Sequence, residues 1–174
     1  MNRKLKNEEL NRLSTEEFNS AEKMPIIVVL DNVRSLHNVG SVFRSADAFL
    51  IEEILLCGVT GCPPNKEIEK TALGATNTVK WQYFKSTADA ILYVRSKSFT
   101  PFAIEQAENS IALNDFAVKG PSALVFGNEV YGVEQEIVDM CEAVIEIPQL
   151  GSKHSLNISV SAGIVLWEVL KGRL

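Results

Sequence analysis

IPQLGSKHSLNISVSAG, Ile147 to Gly163, leaves the end of an apolar strand, passes a Pro-Gly-Ser turn region and enters an apolar helix at Ser-Leu-Asn. A strand-to-loop-to-helix passage of this kind is where a parallel sheet places its ligands. The loop carries Ser152, Lys153, His154, Ser155 and Asn157, set between two segments that must be buried.

Outward from that stretch, the same alternation repeats. Pro25 to Leu30 (PIIVVL) is continuously apolar and β-branched, the mark of a strand buried on both faces. Strands are also predicted over 53–57, 78–84, 99–105, 122–126 and 143–147. Helices are predicted over 39–50, 66–73, 87–97, 134–141 and 156–171, from apolar residues recurring at helical spacing. Residues 109–119 are ambiguous. Residues 2–18 have helical composition but only a thin stripe of Leu5, Leu10, Leu13 and Phe18, so they are expected to form a helical extension (1–24) docked on the domain at 25–174. Alternating buried strands and helices give a parallel α/β sheet covered on both faces. All strand C-termini then share one edge, and the loops Asn38–Gly40, Gly127–Gly132 and Gly151–Asn157 can converge there.

Bulk properties narrow the function. The chain has 174 residues, 46% hydrophobic and 22% charged, which fits one domain with a full core. No apolar run reaches membrane-span length and the N-terminus has no signal-peptide core, so no membrane is expected. Three cysteines without ligand spacing, and two distant histidines, give reduced thiols, a cytoplasmic protein and no metal site. A net charge of −5 argues against generic charge-driven nucleic-acid binding. It leaves room for a local patch from Arg3, Lys4, Lys6 and Arg12, or from Arg34, Arg44 and Lys153.

Each loop has two readings. Asn38 and Arg44 can place a guanidinium beside an anionic substrate. Spacing alone favours an N-capping Asn38 and a solvated Arg44. Gly127 and Gly132 allow tight turns or close approach to a ligand, and Glu129 is either a partner for an arginine or a surface carboxylate. Ser155 can cap the last helix, while Asn157 can aim an amide at a substrate oxygen. GxGxxG and GxxxxGK[ST] are absent, which removes support for NAD or kinase chemistry, and no GxSxG elbow serves a hydrolase.

In order, the loops resemble the three motifs of the SpoU/TrmH family of RNA ribose 2′-O-methyltransferases. The first, NxGxxxR, is matched by Asn38, Gly40 and Arg44. The second, GNExxG after an apolar strand, is matched by Gly127, Asn128, Glu129 and Gly132. The third, IPxxG…SLNxS, is matched by Ile147, Pro148, Gly151, Ser155, Leu156, Asn157 and Ser159. KTALGA (Lys70 to Ala75) also resembles a family stretch.

The resemblance implies a C-terminal deep trefoil knot, built from about Ala123 to Leu170, and S-adenosyl-L-methionine held mainly by backbone at Phe126, Gly127, Asn128, Gly132, Ile147, Pro148, Gly151, Ser155 and Leu156. It implies Arg44 as catalytic arginine, oriented by Asn38 and Glu129, with Ser155 and Asn157 holding ribose or the cofactor's methionine part. It also implies a homodimer with the site near the subunit interface. Gln149 departs from the Met common at its position. The short chain leans toward tRNA as substrate. The alternatives are rRNA, a catalytically silent knotted RNA-binding protein, and an α/β enzyme with another nucleotide ligand.

Overall fold

Alternation along β1 (Met24–Asp31) decides the layering. Ile26, Val28 and Leu30 face one core, with Val39, Val42, Phe43, Ala162 and Val165; Ile27 and Val29 face the other, with Ala90, Ile91, Val94 and Ile137. Both faces are covered by helices, as an all-parallel sheet requires. The computed structural model describes residues 2–173.

In chain order, the remaining elements are α1 (Thr15–Ser20), α2 (Leu36–Ala48), β2 (Ile51–Cys57), α3 (Lys66–Ala72), β3 (Trp81–Phe84), α4 (Thr87–Ser96), β4 (Thr100–Ile104), β5 (Ile111–Ala112), β6 (Ser122–Phe126), α5 (Gln135–Asp139), β7 (Ala143–Glu146) and α6 (Ile158–Leu170). The seven strands lie in the order β3-β2-β1-β6-β4-β7-β5, with every pairing parallel. From β1 the chain winds one way through β2 and β3. It then crosses to the other half and returns β6 beside β1, Leu30 level with Phe126. The crevice outside β1 and β6 is therefore the topological switch point.

Helix ends are set by local capping. The Ser35 hydroxyl accepts from Asn38 N and starts α2 at Leu36, three residues before the predicted position; Asn38 lies inside the first turn and is not the cap. At α6 the cap is Asn157, whose side chain accepts from Ser159 N, and Ser155 lies outside the helix. Gly40 serves packing. A Cβ there would come within 2.2 Å of Ile68 O and Thr71 Oγ1, so α2 and α3 can approach only because it is missing.

The predicted helix over 2–18 is largely absent. Only Thr15–Ser20 is α-helical, started by a Ser14–Glu17 capping box, with a 3-10 turn at Asn7–Glu9. Leu5, Leu10 and Leu13 are exposed, and among that stripe Phe18 alone is buried. A short helix without a packed face is marginal in water. The strand predicted over 78–84 begins only at Trp81, after a 3-10 turn at Ala75–Asn77. The ambiguous 109–119 segment supplies the edge strand β5.

Candidate active site

Glu129 ties the loops together. Its Oε2 accepts from Arg34 N at 3.0 Å, and its Oε1 accepts from Ser35 N at 2.9 Å and from Asn38 Nδ2 at 3.1 Å. An ionised carboxylate can only accept, so Asn38 must turn its amide nitrogen toward Glu129 and its carbonyl away. Asn38 Oδ1 then accepts from Asn157 Nδ2 at 3.1 Å. The Asn157 carbonyl in turn accepts from Ser159 N at 2.9 Å and Ser159 Oγ at 2.7 Å. One carboxylate thus sets the orientation of two amides and joins residues from all three motifs.

Beside this relay lies a cleft of about 450 Å³, within the range of small-molecule sites. Seven of the expected cofactor positions line it: Phe126, Gly127, Asn128, Gly132, Ile147, Ser155 and Leu156. Glu129 and Asn157 line it too. Pro148 and Gly151 do not. Pro148 lines a separate apolar depression with Leu113, Ile164 and Trp167, and Gly151 is exposed beside a fully exposed Leu150. Gln149 and His154 face the cleft, whereas Lys153 is not among its lining residues.

Several residues that the sequence did not single out complete the cleft. The Glu105 carboxylate accepts from Val133 N at 3.0 Å and Gln106 N at 2.8 Å. Gln106 Nε2 donates to His154 O at 2.8 Å, joining the loop after β4 to the loop after β7. Tyr131 stands at the rim. The signal was present: the strand read over 99–105 ends at Glu105, which places Glu105 and Gln106 on the edge where the loops converge.

Arg44 is elsewhere. It lies on the outer side of α2, exposed, in a depression with Ser41, Ser45, Ala48, Phe49, Lys70 and Thr71. Six helical residues after Asn38 it has rotated by about 600°, and so points to a different side. It makes no hydrogen bond or ion pair among the described residues. The expectation that Asn38 and Glu129 orient Arg44 therefore fails within one chain: Glu129 holds backbone N–H groups and Asn38 instead.

Residues 25–167 match the model of the SpoU rRNA methylase family. The chain belongs to that family. It is 30% identical over 169 residues to the tRNA (guanosine(18)-2′-O)-methyltransferase of Thermus thermophilus, covering 95% of this chain and 84% of the relative. It is also 30% identical over 166 residues to a 23S rRNA (guanosine-2′-O-)-methyltransferase of Vibrio parahaemolyticus, covering 95% and 67%. The structure of an AdoMet-bound rRNA methyltransferase from Sinorhizobium meliloti superposes with a TM-score of 0.82 at 29% identity, covering 88% of this chain and 58% of that longer one.

In this SpoU chain the Glu129 carboxyl and the buried thiols are shifted in opposite directions. Burial raises the Glu129 carboxyl, but the N–H groups of Arg34, Ser35 and Glu129 itself, with the Asn38 amide, outweigh it and hold the group below the usual carboxylate value. Burial pushes the Cys57 and Cys141 thiols up to about 12, so neither is a thiolate nucleophile. Among the described residues no cluster of three or more His, Cys, Asp or Glu could hold a metal ion.

A carboxyl whose value is lowered on folding contributes stability that is present above its unfolded value, about 4.3 for Glu, and is lost as pH falls through the folded value. Glu129→Gln should therefore be less stable than the parent by a constant margin from about pH 7 to about pH 5, narrowing below that. Urea unfolding of both proteins across that range checks it; an unchanged margin at about pH 3 contradicts the role given to this carboxylate.

Proposed function

We propose that this SpoU chain transfers a methyl group from S-adenosylmethionine to a ribose 2′-oxygen of RNA, with tRNA as substrate, working as a cytoplasmic homodimer. The observation that carries the reading is the Glu129–Asn38–Asn157 relay at the mouth of the switch-point cleft.

The cleft fits the cofactor chemically. Ile104, Phe126, Ile147 and Leu156 offer apolar surface for an adenine, and the loop backbones offer donors and acceptors for polar groups. The Glu105 and Glu129 carboxylates favour a ligand carrying a sulfonium and an ammonium. The cofactor, when bound, supplies a methyl on a good leaving group, so the chain's task is to position a weakly acidic hydroxyl.

Asn157 spends one amide proton on Asn38 and keeps the other to bind a ribose oxygen. The Ser155 hydroxyl, exposed on the cleft wall, is a second contact for the ribose or the methionine end. Arg44 cannot act as a base, because guanidinium stays charged. It binds substrate phosphate and favours the developing alkoxide.

The position of Arg44 supports assembly across two copies. Phe49, in the Arg44 depression, meets Trp167 at 6.5 Å between ring centroids. Trp167 is 56% exposed and shares the outer face of α6 with exposed Val160 and Ile164. In this reading a second copy covers that apolar strip, and Arg44 of one chain serves the cleft of the other. A trefoil knot is supported by the sheet order: β7 lies between β4 and β5, inside the excursion of chain that joins them. Three free cysteines support a reducing compartment.

Tritiated methyl transfer from S-adenosylmethionine into separate tRNA and rRNA pools tests the reading. Label should enter tRNA and protect one phosphodiester bond from alkali, since a 2′-O-methyl blocks cleavage there. Label in rRNA alone overturns the substrate, alkali-sensitive label overturns the ribose oxygen, and no label in either pool leaves a silent binding protein.

A further inference from the structure

The turn after β6 is held by hydrogen bonds and presents two exposed side chains, Val130 and Tyr131, at its tip. Asn128 N donates to Gly132 O and Gly132 N donates to Asn128 O, both at 2.9 Å. The Asn128 carbonyl accepts from Val130 N at 2.9 Å and Tyr131 N at 3.2 Å, while its amide anchors to Asn32 O at 2.8 Å. Gly132 closes the turn at φ +69°, a conformation that L side chains rarely adopt. At its tip Val130 is 70% and Tyr131 82% exposed, and Tyr131 lines the cleft.

A single exposed aromatic needs no explanation. Here five hydrogen bonds and a left-handed glycine hold one at the rim of the cleft, away from the core. Fixing a side chain before it binds removes ordering cost at the moment of association. The relay beside it addresses a ribose, and a ribose in reach of a cleft has its base unstacked from the RNA helix. An unstacked base exposes a π-face, and tyrosine offers a flat partner with few rotatable bonds.

We propose that Tyr131 is the stacking platform for the base of the methylated nucleotide, so that it positions the target ribose over the cleft. This rests on the methyl-transfer reading, and its test separates the two. Methyl transfer by the parent protein decides the reading, and the behaviour of Tyr131 variants decides the stacking.

The experiment uses the full chain and the RNA whose methylated nucleotide has been mapped. Tyr131→Ala should raise KM for the RNA by about 5- to 150-fold, the range that base–aromatic stacking spans, with kcat near the parent value. Tyr131→Phe keeps the ring and should restore KM to within about twofold. Thermal unfolding should be unchanged in both, because the side chain is exposed, and S-adenosylmethionine should bind as it does to the parent, because a ring that serves the RNA base makes no contact the cofactor needs. An RNA abasic at the target nucleotide should raise the parent's KM by a similar factor, and on that RNA Tyr131→Ala should cause no further loss. Equal KM for parent and Tyr131→Ala on intact RNA overturns the proposal. Additive losses on the abasic RNA overturn it as well, as does a matching loss of S-adenosylmethionine affinity, which would make Tyr131 a cover for the cofactor. A parent protein that methylates no RNA removes both the reading and the stacking.

Discussion

Arg44→Ala should lose on the order of 10²- to 10³-fold in kcat for RNA methylation while S-adenosylmethionine still binds within about twofold of the parent. The two halves of that expectation come from different parts of the structure. Arg44 contributes nothing to the cleft wall, so truncating it leaves the cofactor's surroundings intact. Its fixed charge and planar fork are what a phosphate and a developing alkoxide need, so Arg44→Lys, which keeps the charge and loses the fork, should recover little. Calorimetric titration with S-adenosylmethionine and single-turnover methylation separate the effects; near-normal turnover sinks the assignment. The same variant tests where Arg44 works. Mixing Arg44→Ala with Asn157→Ala chains gives mixed dimers in half of the pairings. If each arginine serves the other chain's cleft, every mixed dimer carries one intact site and about a quarter of the parent activity returns. If each serves its own, none returns.

The sheet was legible because buried parallel strands announce themselves as continuous β-branched runs, as in Pro25–Leu30, and because parallel pairing sends every loop to one edge. The family resemblance then pointed to residues at that edge, of which Glu129, Asn38 and Asn157 are joined by hydrogen bonds while Arg44 lies apart. Their wiring was hidden. Glu129 binds the N–H groups of Arg34 and Ser35, and a backbone donor leaves no trace in residue identity. The motif arginine reads as a neighbour of Asn38 in sequence, but helical rotation carries it to another face. Asn157 caps α6, the position the sequence offered to Ser155, and the same side chain also reaches Asn38. The N-terminal segment failed for a different reason: helical composition was present, but only Phe18 found a core to join.

Gly127→Ala should cost on the order of 10²-fold in kcat/KM and lower Tm by roughly 2–12 °C. Gly127 has no left-handed φ, so the residue is not there for a turn. Its added Cβ would lie 2.0 Å from Gly132 C and 2.1 Å from Val133 N. Those atoms are backbone and cannot swing aside as the tip of a long side chain would. Either β6 withdraws from β1 and β4, or the segment Gly132–Val133 moves outward. The first strains the buried centre of the sheet. The second breaks the Asn128–Gly132 pairing and draws Val133 N from Glu105, so the wall presenting Glu129 and Tyr131 shifts with it. Gly132→Ala meets the Glu105 carboxylate at 2.1 Å, a side-chain end that can turn away, but at φ +69°. Its damage should therefore be backbone strain at the turn, with the β6 register kept. Thermal unfolding together with S-adenosylmethionine titration of both variants distinguishes them: Gly127→Ala should lose stability and cofactor affinity together, and parent-like values for it would show that the loop has more room than these contacts allow.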